Sequence, residues 1–246
     1  MIITVANQKG GVSKTTTSAT LGQGLQQLYN KRVLFIDLDP QGNLSSYLGA
    51  NTEDNITIAD ILAGTSTSEQ AIQQANQWHI IPSDQATSTY QNNLQENELK
   101  RLLEPIKKNY DFIIIDTPPT LSALTINAFV TADKVIIPTN AGVFATEGIQ
   151  QLYEVIEHSK QYNKSIIIDG ILLTKFSDRS VIHKQLRQAI ETLANNLDTK
   201  LYKATIRQAI AIEESQAMQQ SIFDYAGKSS VSNDYKAFIK EFMKEV

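Results

Sequence analysis

Cysteine is absent from the 246 residues. A disulfide framework and any thiolate metal site are thereby excluded. Long apolar runs are missing as well: none approaches the ~20 residues a helix needs to cross a bilayer. The N-terminus opens directly on strand-type residues, so no signal peptide is expected and the expected location is the cytoplasm. No internal repeat is visible, and no helix-turn-helix segment is expected ahead of the first strand. Net charge is small and negative, −4, so any contact with a polyanion has to be local. The length allows one large α/β domain over residues 1–246 with a substantial core.

The most informative stretch is residues 7–17, Asn-Gln-Lys-Gly-Gly-Val-Ser-Lys-Thr-Thr-Thr. A short apolar run, Ile2–Ala6, precedes it, and a helix-compatible stretch from about Lys14 to Leu28 follows. Strand, glycine loop and helix in that order form the context of a phosphate-binding loop. Gly10 and Gly11 free the backbone to approach a phosphate. The first N–H groups of the next helix have no partner and point at a bound anion. Lys9-Gly10-Gly11-Val12-Ser13-Lys14-Thr15-Thr16 is therefore the candidate cradle. In it Lys14 reaches the β- and γ-phosphates and the Thr15 hydroxyl ligates Mg²⁺.

The strict pattern G-x-x-x-x-G-K-[ST] is not met, because Gln8 and Ser13 stand at its two framing glycines. What is met is K-G-G-x-x-K-T, with an extra lysine at Lys9. In this the chain resembles the ParA/MinD-type, or deviant-Walker-A, ATPases. Their usual string has glycine in place of Ser13. Serine is small, and its added Cβ is expected to be tolerated.

Two further motifs agree. Val33–Ile36 is β-branched and aromatic, the composition of a buried parallel strand, and it ends in Asp37-Leu38-Asp39-Pro40. Ligands of doubly wound sheets collect at such strand ends. The resemblance makes Asp39 the residue that positions the attacking water near the metal. Whether Asp37 shares that role or only caps the loop stays open on sequence. Phe112–Ile115 is another apolar strand and ends in Asp116, a carboxylate able to hold Mg²⁺ opposite Thr15, usually through a water. Thr15, Asp39 and Asp116 form the expected metal set, and Lys9, Lys14, Asp39 and Asp116 the expected catalytic set. Thr117-Pro118-Pro119 resembles the family's second switch segment.

Apolar periodicity predicts strands near 1–6, 32–37, 78–81, 111–116, 133–138, 166–173 and 199–206. It predicts helices near 14–29, 57–63, 95–108, 120–130, 145–162, 179–195 and 231–245. This alternation implies a doubly wound, mostly parallel α/β sheet with helices on both faces. Residues 49–95 are polar and poorly periodic, and are expected to be an elaborated surface region. Trp78 and His79 belong to a strand and its rim. His158 and His183 lie on helices with no partner pattern.

Charge is uneven. Residues 1–150 carry nine basic and fourteen acidic side chains, and residues 151–246 thirteen and twelve. Lys175, Arg179, Lys184, Arg187, Lys200, Lys203 and Arg207 form a local basic cluster, either a solvated surface or a salt-sensitive contact for DNA phosphates. The resemblance favours nonspecific DNA, with Lys200, Lys203 and Arg207 as the candidates. A second arginine usual in the family falls at Ile210 here. By rough alignment the adenine contacts fall at Thr174–Lys175 and at Ile206, Arg207 and Gln208, where the family usually has proline in place of Ile206.

The resemblance implies a Mg²⁺-dependent ATPase of the ParA/Soj type, slow alone. It implies a homodimer formed with ATP across which Lys9 reaches, a small ParB-type centromere-binding partner, and association with the nucleoid. The alternative is a MinD-like membrane-recruited regulator. For that reading the apolar face Tyr235, Phe238, Ile239, Phe242 and Met243 would be a membrane helix. Glu241 and Glu245 dilute its basic face, and a terminal helix packed on the sheet is favoured. A metal-cluster carrier is disfavoured by the missing cysteines.

Overall fold

Five of the eight strands are apolar enough to be buried on both faces, and they set the centre of the sheet. The computed structural model describes residues 1–246. Its strands are β1 (Ile2–Val5), β2 (Val33–Asp37), β3 (Gln73–Ala75), β4 (Trp78–Ile81), β5 (Phe112–Asp116), β6 (Lys134–Asn140), β7 (Ile167–Thr174) and β8 (Leu201–Thr205). They form one sheet in the order β3-β4-β2-β5-β1-β6-β7-β8. Every pairing is parallel except β3 with β4. β2 to β5 lie on one side of β1, with β5 returning to pair directly with it, and β6 to β8 lie on the other. The reversal opens a crevice at the carboxyl ends of the strands beside β1.

The helices are α1 (Lys14–Tyr29), α2 (Asn43–Leu48), α3 (Ile58–Ala63), α4 (Ser68–Ala71), α5 (Glu98–Leu103), α6 (Ala123–Thr131), α7 (Ala145–Ser159), α8 (Val181–Asn196), α9 (Ile210–Ala217), α10 (Ile222–Tyr225) and α11 (Ser230–Phe242). Alternate residues of the central strands feed opposite faces: Val33 and Phe35 pack with α1, α2 and α11, whereas Leu34 and Ile36 pack with α3 and α5. A third cluster joins β6 and β7 to α7 and α8. α1 lies close on the sheet. A Cβ added at Gly22 would fall 2.3 Å from the Phe35 ring, and one at Gly24 2.3 Å from Ile239 Cδ1.

The C-terminal helix is part of this body. Tyr235, Phe238, Ile239 and Phe242 of α11 are all buried. Glu241 accepts the backbone N–H groups of Lys203 and Ala204 at 2.9 and 3.1 Å, on the outer edge of β8. Asp169 of β7, buried between β6 and β8, accepts from Tyr202 and from Lys134 Nζ (2.5 Å), and Lys200, just before β8, pairs with Glu245. No helix is long and apolar enough to cross a membrane.

The sheet and its helices match the sequence expectation, with local differences. The helix expected over 95–108 stops at Leu103, followed by a 3₁₀ turn at Lys107–Asn109. Pro105 is the reason, since its ring removes an N–H donor and clashes with the preceding turn. The polar region 49–95 contributes α3, α4, β3 and β4. A capping box between Thr57 and Asp60 opens α3. β3 is missed because Gln73-Gln74-Ala75 has no apolar alternation, and α2, α4, α9 and α10 because they are too short to display helical periodicity.

Candidate active site

The loop after β1 ends in two left-handed residues, Gly11 (φ 73°) and Ser13 (φ 66°). Glycine adopts this conformation without strain, whereas serine pays about 1–2 kcal/mol for it. Nothing lies within 4 Å of a Cβ built on Gly10 or Gly11, so the loop leaves an open hollow in front of the first N–H groups of α1. Asn7 braces the loop, donating to the Pro138 carbonyl and accepting from the Lys9 N–H. Lys14 is buried, and its Nζ donates to the Lys9 carbonyl at 3.2 Å. Burial lowers the Lys14 pKa, and the charges of Asp116 and Asp39 oppose that shift.

Asp116 sits at the end of β5 beside this lysine. The Thr15 hydroxyl donates to one of its oxygens at 2.7 Å, and Ser18 Oγ lies 2.7 Å from the other. Burial raises the Asp116 pKa to about 6 against the pull of these hydroxyls and of Lys14. Asp37 is also fully buried, and burial together with the charge of Asp116 raises it to about 7. Its oxygens accept the Asp39 N–H (3.0 Å), the Ser45 N–H (2.9 Å) and the Ser45 hydroxyl (2.8 Å). Asp37 therefore organises the loop between β2 and α2, and Asp39 is the member of the pair that faces the cleft. One Asp39 oxygen accepts the Gln41 N–H.

These groups border a cleft of about 590 Å³. Gly10, Gly11, Ser13, Lys14, Thr15, Thr16 and Asp39 line it together with Lys175, Ile206, Arg207 and Gln208. Other expected residues lie behind its surface. Val12 is buried, and Thr174 donates its hydroxyl to the Val12 carbonyl at 3.1 Å, tying β7 to the loop. Sequence reasoning missed a third wall formed by Asn43, Tyr47, Gln216 and Tyr235. Gln216 donates to the Thr16 hydroxyl at 2.9 Å, a contact 200 residues apart that leaves no local pattern.

The donor set fits a nucleotide with magnesium. Asp116 interacts with both Asp37 and Asp39, and Asp116 and Asp39 both act on the buried cation Lys14. This surplus of negative charge beside the Thr15 hydroxyl suits a hard divalent cation, and the open glycine hollow suits phosphate.

A family model described as an AAA domain matches residues 1–168. The chain is 36% identical to the sporulation initiation inhibitor protein Soj of Bacillus subtilis, covering 98% of this chain and 97% of that one. It is 34% identical to the chromosome partitioning protein ParA of Myxococcus xanthus, covering 99% and 88%. The chain belongs to the ParA/Soj family of P-loop ATPases. Among solved structures, cobyrinic acid a,c-diamide synthase from Mycobacterium smegmatis with an ATP analogue and magnesium superposes with a TM-score of 0.85. Its identity is 27%, and the match covers 99% of this chain and 94% of that one. As a ParA/Soj-type protein the chain is a partitioning-type ATPase, and binding nucleotide with magnesium belongs to its fold.

Two candidates for DNA contact are already paired within the ParA/Soj-type chain. Arg207 forms a fork with Asp234, Nε at 2.6 Å and Nη2 at 2.9 Å. Lys200 is tied to Glu245. Lys203 is exposed, and its ammonium has no acidic partner. β8 separates Lys200 from Arg207, which puts about 20 Å between them at ~3.3 Å per residue.

Proposed function

We propose that this chain segregates DNA by an ATP-driven cycle: it closes face to face as a dimer around two ATP molecules, holds nonspecific DNA in that state, and lets go after hydrolysis. The observation that carries this reading is the split between the two lysines of the loop. Lys14 turns inward and lines the cleft. Lys9 does not; its Nζ lies 5.5 Å from the centre of the exposed Phe144 ring, over the start of α7. A cation at the rim of the cleft, outside its own phosphate hollow, is placed to neutralise phosphates presented by a second copy.

Within one copy, Lys14 and the N–H groups of the loop orient the triphosphate, and Asp39 orients the attacking water. Thr15 and Asp116, with Asp39 close by, would hold Mg²⁺, and the ion would supply positive charge to offset that developing on the phosphates. A ParB-type centromere-binding protein is the proposed stimulator of hydrolysis, and the nucleoid in the cytoplasm the proposed location. Dimerisation doubles the weak cationic contacts to DNA, so affinity follows the nucleotide state.

The test is light scattering and DNA binding with ATP, on an Asp39→Ala background that stalls hydrolysis. The dimer and the DNA complex form together, and Lys9→Ala abolishes both. Dimerisation of Lys9→Ala at the parent's affinity refutes the cross-subunit role. Binding to anionic vesicles in place of DNA refutes the partitioning assignment. Burial of the apolar face of α11 speaks against that outcome.

A further inference from the structure

The segment Ile206–Gln208 forms one wall of the cleft. Its first residue is fixed by the sheet, since the Ile206 N–H donates to the Leu173 carbonyl (2.8 Å) and the Phe176 N–H to the Ile206 carbonyl (3.0 Å). Beyond Ile206 the wall leaves β8, and α11 takes over the hold. Asp234 accepts three N–H groups from Arg207: the backbone N–H at 3.1 Å, Nε at 2.6 Å and Nη2 at 2.9 Å. The Asp234 side chain is 13% exposed against 53% for Arg207. A covered carboxylate thus grips both the main chain and the fork of one residue, the strongest class of hydrogen-bond pairing available to side chains. The next residue of α11, Tyr235, is buried and lines the same cleft.

We infer that Asp234 is a positioning residue for the nucleotide base. It touches no phosphate; it sets where the Ile206–Gln208 wall stands, and through that wall how well the base is held. The inference rests on the proposed placement of the base against this wall. The triphosphate is assigned to the loop around Lys14, a different lining segment of the cleft, so the two holds are separable. Loss of Asp234 weakens binding of ATP and leaves binding of a bare phosphate chain intact.

The experiment measures affinities for ATP and for inorganic tripolyphosphate, both with Mg²⁺, and steady-state turnover, in the parent, Asp234→Ala and Asp234→Glu. In Asp234→Ala the KM for ATP rises about tenfold, a change of about 1.4 kcal/mol, while kcat and tripolyphosphate affinity hold. Asp234→Glu recovers part of the loss. Unchanged ATP affinity in Asp234→Ala overturns the inference, and so does an equal loss for both ligands. A parent that binds tripolyphosphate as tightly as ATP overturns the base placement itself, and the inference with it. Should Asp234→Ala fail to fold, Arg207→Met decides. It keeps the main-chain bond to Asp234 and drops the two side-chain bonds, so the same split must appear at smaller size; ATP affinity equal to the parent's refutes the role.

Discussion

Asp37 and Asp116 occupy directly paired positions on β2 and β5, and both carboxylates are fully buried. Each holds its proton more tightly in the folded chain than in the unfolded one, where the ordinary carboxylate value is 3.8. Between about pH 4 and pH 7 the folded state therefore binds protons that the unfolded state releases. The contribution of this pair to stability is present at the low end of that window and lost as pH rises through the folded values. In nucleotide- and metal-free protein, Asp116→Asn should raise stability at pH 8 by on the order of 1 kcal/mol and do little near pH 4. Urea unfolding across that range measures it, and a variant equally or less stable at pH 8 contradicts it. Added Mg²⁺ and nucleotide should stabilise the parent more than the variant.

Ser13 carries a left-handed backbone at the mouth of α1. Replacing it with glycine removes strain of about 1–2 kcal/mol and gives back part of that through the freer unfolded chain. A net gain of about 0.5–1 kcal/mol is expected in thermal or urea unfolding. A loss of stability would show that the serine side chain contributes something its geometry does not reveal.

The proposed mechanism divides the chemistry between Lys14 and Asp39. Lys14→Ala should lose nucleotide binding, because it removes the one buried cation in the hollow. Asp39→Ala should bind ATP and stall before cleavage. Equilibrium binding of a fluorescent ATP analogue, with single-turnover hydrolysis, separates the two. Equal loss of affinity in both variants sinks the division.

Intramolecular pairing ranks the DNA candidates. Lys203 has no acidic partner, whereas Lys200 and Arg207 are each neutralised in place. Lys203→Glu should therefore weaken DNA binding by the ATP-locked dimer more than Lys200→Glu does, and should flatten the dependence of log affinity on log salt. A salt series in a filter or anisotropy assay decides. A larger effect at Lys200 would place the DNA surface at the start of β8.

The framework of this molecule was legible because its signals are local. A fully apolar strand such as Phe112–Ile115 needs no partner to be read as buried, and Lys9 to Thr16 carry their spacing with them. The resemblance singled out Asp39 but left the role of Asp37 open, since that role depends on Ser45, which only the turn into α2 brings near. The wall containing Gln216 and Tyr235 was invisible for the same reason at longer range, for α9 and α11 reach the cleft only once the sheet is complete. Charge was the least legible property. The seven basic residues of 175–207 look like one surface in sequence, yet Asp234 and Glu245, both outside that window, claim two of them.

Glu241 has a consequence for how copies of this chain can meet. An edge strand with free N–H groups is a template on which other chains add, the route to fibres and aggregates. With two donors of β8 occupied by this carboxylate, and the opposite edge reduced to three residues of β3, strand addition is blocked at one side and short-lived at the other. Growth of the sheet from molecule to molecule is thereby disfavoured at both edges.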